Sequence, residues 1–152
     1  MEPRLDYRNF SHEPLNALLA LEKYITGCGL DHKLLHVMKL RASQINGCAF
    51  CIDMHMKELK HQGESEAKLF LLSAWREAPE FFTAKERAAL AWTETVTLLA
   101  DTHVPDDEWE AVRKEFSEEE VAKLTFAIGT INIWNRISVS FRTPPGTKPQ
   151  SA

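Results

Sequence analysis

The chain has 152 residues, a formal charge of −4, 44% hydrophobic and 26% charged residues, a size and balance that suit one globular domain with a real core. Net acidity without a basic block argues against nucleic acid or an anionic membrane as the main partner, and no apolar run approaches the ~20 residues of a membrane span. The charged N-terminus, Met1-Glu2-Pro3-Arg4-Leu5-Asp6, lacks the apolar stretch of a secretory signal, which points to a cytoplasmic setting.

Taken in order, residues 1–10 read as an extended lead-in. Ser11 is placed as an N-cap, and Leu15, Leu18, Leu19, Glu22 and Ile25 follow at helical spacing until Gly27-Cys28-Gly29 stops the helix. A second helix over Asp31 to Gln44 carries Leu34, Leu35, Met38 and Leu40 into an Asn46-Gly47 turn. The third runs to Gln62, with Gly63 as its stop. Glu64 or Ser65 opens a fourth through Trp75. Thr83-x-x-Glu86 is a capping box for a fifth that reaches about Ala100. Pro105 starts a short helix ending near Phe116, and Ser117-x-x-Glu120 caps a last one from Glu118 to about Ser140. Pro144-Pro145-Gly146 ends regular structure, leaving 144–152 as a flexible tail. No strand alternation competes, so the expectation is an all-α bundle of about seven helices over residues 11–143.

The chemistry concentrates in Ser43 to His55, where Cys48 and Cys51 form a Cys-x-x-Cys pair and His55 follows four residues later. Residues three and four apart share a helix face, so the three side chains fall together. A helix N-terminus favours thiolate over thiol, and a nearby imidazolium would do the same. The stretch reads as a redox dithiol with a built-in base. Two other readings stand beside it. A structural zinc site needs four ligands, and His55 and His61 could be added to the pair only at a spacing that fits no standard site. Two buried thiols could also serve simply as small hydrophobes.

Elsewhere, His36 lies in the apolar run Leu34-Leu35-His36-Val37-Met38 and by itself reads as a core histidine that the helix connection could bring to the dithiol. Cys28 has no partner at useful spacing, and Trp75, Trp92, Trp109 and Trp134 are core anchors. Asn132, Asn135 and Arg136 interrupt an apolar helix, which favours interhelical or inter-subunit hydrogen bonding over catalysis.

The run Leu40-Arg41-Ala42-Ser43-Gln44-Ile45-Asn46-Gly47-Cys48-Ala49-Phe50-Cys51-Ile52-Asp53-Met54-His55 resembles the dithiol signature of the alkylhydroperoxidase AhpD-like / carboxymuconolactone decarboxylase-like family. Glu86 to Glu94 and Ile131 to Arg136 extend the resemblance, which covers about residues 10–146. It implies an AhpD-like helical fold assembled as homotrimers or homohexamers, and reduction of an organic hydroperoxide or hydrogen peroxide. It implies that Cys51 is oxidised to a sulfenic acid, that Cys48 is proton donor and resolving thiol, and that His55 belongs to the relay. Members with this activity usually carry a glutamate twelve residues before the first cysteine, where this chain has His36. An imidazole there could act as a base, or as imidazolium could stabilise thiolate.

The branch that decarboxylates lacks the dithiol, so decarboxylation is not implied. No flavin or nicotinamide motif is present and no cofactor or metal is expected, so turnover needs an external dithiol, such as a lipoyl or thioredoxin-like protein. The competing functions are a redox sensor without turnover and a thiol–disulfide oxidoreductase acting on proteins.

Overall fold

The computed structural model describes residues 1–146, and from residue 147 onward the expected tail lies outside them. The described residues form eight α-helices joined by short turns: α1 His12–Thr26, α2 His32–Ile45, α3 Ala49–His61, α4 Glu66–Leu71, α5 Ala84–Thr97, α6 Leu99–Thr102, α7 Asp106–Glu115 and α8 Glu118–Phe141. No strand occurs among the described residues, and none of these helices is long and apolar enough to cross a membrane.

Side-chain caps set most of the helix starts. Asp31 accepts from the Leu34 N–H at 2.8 Å, Ser65 caps α4, and Thr83 and Ser117 close full capping boxes with Glu86 and Glu120. Ser11 stands at the N-cap of α1 but makes no side-chain cap bond.

Two helices break earlier than their periodicity predicts, and the second break raises the count above seven. The fourth is α-helical only to Leu71 and continues as 3-10 turns over Leu72–Glu77, with Ala74 out of helical geometry at φ −119° and ψ 29°. The break lets buried Trp75 reach inward, where its indole N–H donates to Glu94 at 2.8 Å. The fifth stops at Thr97, because Leu98 opens to ψ 36° and the Thr102 hydroxyl turns back to donate to the Thr95 carbonyl. Tertiary bonds here outweigh local propensity.

The element that organises the core is α2. Eight of its residues, Leu34, Leu35, Val37, Met38, Lys39, Leu40, Ala42 and Ser43, are buried, as expected of a helix enclosed on all sides. Its flanks join two apolar clusters, one with Trp92, Leu124 and Ile128, the other with Leu59, Leu72, Trp75 and Leu90. The lead-in is less extended than expected: Tyr7–Asn9 form a 3-10 turn capped by Asp6. The Arg4 N–H donates to the Phe141 carbonyl at 3.1 Å and the Tyr7 and Phe141 rings stack at 5.9 Å, tying the chain's start to the end of α8.

A polar network locks the turn between α2 and α3. The Asn46 amide donates to Asn132 Oδ1 at 3.0 Å and Asn135 Oδ1 at 2.9 Å, while the Asn135 amide donates to Ser43 Oγ at 3.0 Å. The asparagines that interrupt α8 are therefore interhelical ties to the dithiol turn. Asn135 is fully enclosed, so removing its amide strands partners out of reach of water, a loss of about 2 kcal/mol. Asn135→Ala is expected to lower the unfolding free energy by that amount in urea denaturation, whereas unchanged stability would remove the network from the account.

Candidate active site

At the mouth of α3, Gly47 adopts φ +65°, a left-handed conformation that favours glycine, and turns the chain so that Cys48 becomes the helix N-cap. The Cys51 backbone N–H donates to the Cys48 sulfur at 3.3 Å, so a cysteine sulfur holds the place usually taken by a hydroxyl or carboxylate. Cys48 and Cys51 are paired as a disulfide with Cα atoms 5.4 Å apart. Both are 1% exposed. They differ in what they face.

A cavity of about 550 Å³ lies between α1, α2, α3, the end of α8 and the lead-in. Cys51, His55 and His36 line it, and Cys48 does not. Most of its wall is apolar, including Leu15, Leu35, Phe50, Met54, Trp134 and Phe141. The three expected site residues of the cavity wall come from two adjacent helices, and Cys48 sits directly behind them.

The two imidazoles meet. His36 Nδ1 and His55 Nδ1 are 3.1 Å apart, so one donates and the other accepts according to tautomer. His55 Nε2 is buried and finds no hydrogen-bond partner among the described residues. If His55 carries its hydrogen on Nδ1, Nε2 is a free base; if His36 supplies the bridging hydrogen, His55 Nε2 is the donor. In either tautomer the pair keeps one unprotonated ring nitrogen, which can take a proton, making the pair transiently cationic, and return it.

Neutrality follows from the surroundings. Burial pushes the His55 imidazole well below its ordinary value, and the charges of Lys39 and His36 push the same way. His36 is also lowered, first by burial and then by Lys39, with Glu58 and Glu22 partly opposing. The imidazolium that spacing suggested as a thiolate stabiliser is thus absent near neutral pH. The end of α3 remains to favour thiolate.

Two charged residues in the wall are absent from the sequence reading of the site. Glu22 of α1 and Lys39 of α2 form an ion pair in the same cavity. Their signals were a carboxylate on the apolar stripe of α1 and a lysine inside the apolar run of α2. Another conspicuous acid is structural: burial pushes Glu94 up, but hydrogen bonds from Trp75, Arg41 and Arg76 outweigh it and leave the carboxyl below its usual range. Cys28 is a free thiol on the core's edge, away from the dithiol. Among the described residues no three His, Cys, Asp or Glu side chains gather to hold a metal ion.

The depressed imidazoles couple stability to pH. Unfolded, a histidine binds a proton near pH 6.5, whereas folded His55 does not, so the unfolded state gains protons first on acidification. His55's contribution is complete above that value and declines below it by up to ~1.4 kcal/mol per pH unit. His55→Gln is expected to flatten the fall in urea midpoint between about pH 6.5 and pH 5, and an unchanged slope would place the coupling elsewhere.

Comparison with known proteins identifies the family and the fold. The family model for the carboxymuconolactone decarboxylase family matches residues 13–95, which span α1 to most of α5. An uncharacterized protein of Bacillus subtilis, YdfG, is 36% identical over 97% of this chain and 100% of its own length. A crystal structure of an Agrobacterium tumefaciens protein of unknown function, proposed as the antioxidant defence protein AhpD, is 50% identical with a TM-score of 0.92, covering 97% of this chain and 100% of that one. The debrominase Bmp8 shares the fold at 18% identity and a TM-score of 0.76, over 86% of this chain and 70% of that chain. With more than half its length matched by the family model and a full-length relative above 30% identity, the chain belongs to the carboxymuconolactone decarboxylase family, on its AhpD-like side.

Proposed function

We propose that the protein is a thiol-dependent hydroperoxidase with an antioxidant role, in which Cys51 reduces the peroxide and Cys48 resolves the product. The observation that carries this reading is the asymmetry of the dithiol: Cys51 forms part of the cavity wall beside His55, while Cys48 lies behind it as the helix cap. A substrate in the cavity meets one sulfur only.

In the reduced enzyme, Cys51 passes its proton to the neutral His55–His36 pair and its sulfur attacks the terminal peroxide oxygen. The S–O bond forms as the O–O bond breaks, leaving Cys51 a sulfenic acid. The departing alkoxide takes the proton back and leaves as alcohol, or as water from hydrogen peroxide. Cys48 then attacks the Cys51 sulfur as it gives up its proton, the S–O bond breaks, the leaving hydroxide takes that proton and departs as water, and the disulfide of the described structure results. An external dithiol returns two electrons to complete the cycle.

Full burial of both sulfurs favours a small peroxide, and a slender dithiol arm such as lipoyl, over direct exchange with the surface of a folded protein. The same reading includes assembly as a homotrimer or homohexamer, for which α8 offers an apolar face with Phe126 and Ile133 exposed beside a groove also lined by Trp109 and Val121.

Prereduced protein is expected to consume one equivalent of an organic hydroperoxide with loss of two thiols, and Cys51→Ser to consume none. His55→Gln should slow consumption about a hundredfold. If prereduced protein leaves peroxide untouched while a mild oxidant still closes the disulfide, peroxidase chemistry is excluded, and sensing or thiol exchange takes its place.

A further inference from the structure

Lys39 is only 5% exposed, in the middle of the most enclosed helix of the fold. Lysine is seldom fully buried, and taking its charge out of water is expensive unless a partner meets it. Its partner is Glu22, reaching across from α1. Such a pair is weak evidence of a stabilising device, because well-packed apolar side chains commonly do as well or better.

Position suggests another use. Lys39 lies one turn after His36 on α2, and both line the cavity with Cys51 and His55. The neutral histidines supply no positive charge there. The other ion pair in the wall, Arg8 with Asp6 of the lead-in, is about half exposed and screened by solvent. Of the remaining ionisable groups lining the cavity, His32 of α2 and Glu58 of α3 are exposed, and the Tyr7 phenol of the lead-in, half-buried, is pushed up by burial and carries no positive charge. Lys39 is thus the deepest cation of the cavity.

Glu22 is incompletely satisfied. One carboxylate oxygen meets Lys39, and the other is buried without a hydrogen-bond partner among the described residues. Its counter-charge is therefore directed at Lys39 rather than divided among several donors.

We propose that the Glu22–Lys39 pair belongs to the dithiol site, with Lys39 as the cation that favours the Cys51 thiolate and Glu22 as the counter-charge that limits it. This rests on Cys51 being the reactive thiol. A positive charge facing the same low-dielectric cavity as a thiol stabilises its anion, and a carboxylate opposes that effect. The downward push of Lys39 on both imidazoles is the same field acting on a base. Lys39 and Glu22 are positioning residues in this account, since they act through the thiolate.

The test reads acid–base behaviour and requires no turnover. The chain has three cysteines, so a Cys28→Ser, Cys48→Ser protein holds Cys51 as its single thiol, and serine keeps a capping side chain on α3. Ultraviolet thiolate absorbance is followed against pH. Lys39→Met is expected to raise the Cys51 midpoint by about one pH unit, Lys39→Arg to stay near the parent, and Glu22→Gln to lower it. Opposite shifts support the proposal. Shifts in the same direction, or none, overturn it. Should Lys39→Met fail to fold by circular dichroism, Glu22→Gln decides alone: a lower midpoint supports the proposal, and an unchanged or higher one overturns it. A protein inactive on peroxide but showing the opposite shifts would refute the peroxidase reading and leave this one standing.

Discussion

Because Gly47 turns left-handed and Asn135 of α8 holds the turn from beneath, α3 begins at Cys48 and the rest of the site takes its geometry from that start. The first cysteine becomes the N-cap, the second falls one turn inside, and His55 follows a turn later on the same face. Moving the start by one residue would rotate all three by about 100°, carrying the cavity-facing sulfur into the packed interior. The asparagine network fixes a helix phase as well as a loop.

The enclosure of α2 has a second consequence. Its apolar flanks bury Lys39 and half-bury His36 beside the dithiol, where charge is costly, so the site divides into neutral and charged parts. The resting imidazoles are held neutral by burial and meet at 3.1 Å, while Lys39 pairs with Glu22. In the proposed mechanism, proton transfer falls to the imidazoles and thiolate stabilisation to Lys39. The position at which the resemblance implies a glutamate is His36 in this chain, and its ring meets His55.

Much of this could be read from residue order, and the rest could not for definable reasons. Helix positions over Leu15–Ile25, Leu34–Leu40 and Leu90–Val96 followed from periodicity, and Thr83 and Ser117 marked true helix starts because capping is local. Breaks at Leu71 and Leu98 depend on Trp75 reaching Glu94 and on Thr102 turning back to Thr95, contacts that join separated residues. The shared face of Cys48, Cys51 and His55 was legible from spacing. Their unequal access to the cavity was not, because α1, the lead-in and Phe141 complete the wall. Spacing marked His55 as a base, and its neutral resting state depends on burial, which spacing does not show. Glu22 and Lys39 were visible as charged residues on apolar helix faces, but only the packing of α1 on α2 brings them together.

The asymmetry of the two sulfurs is the central claim, and trapping the sulfenic acid tests it most directly. Cys48→Ser protein is treated with one equivalent of an organic hydroperoxide in the presence of a sulfenate-trapping dione, and the adduct is located by peptide mass spectrometry. The account predicts the adduct on Cys51, and none on Cys48 when Cys51→Ser is treated in the same way. An adduct on Cys48 in the second variant, with Cys51 unmodified in the first, would reverse the roles of the two cysteines and contradict the account.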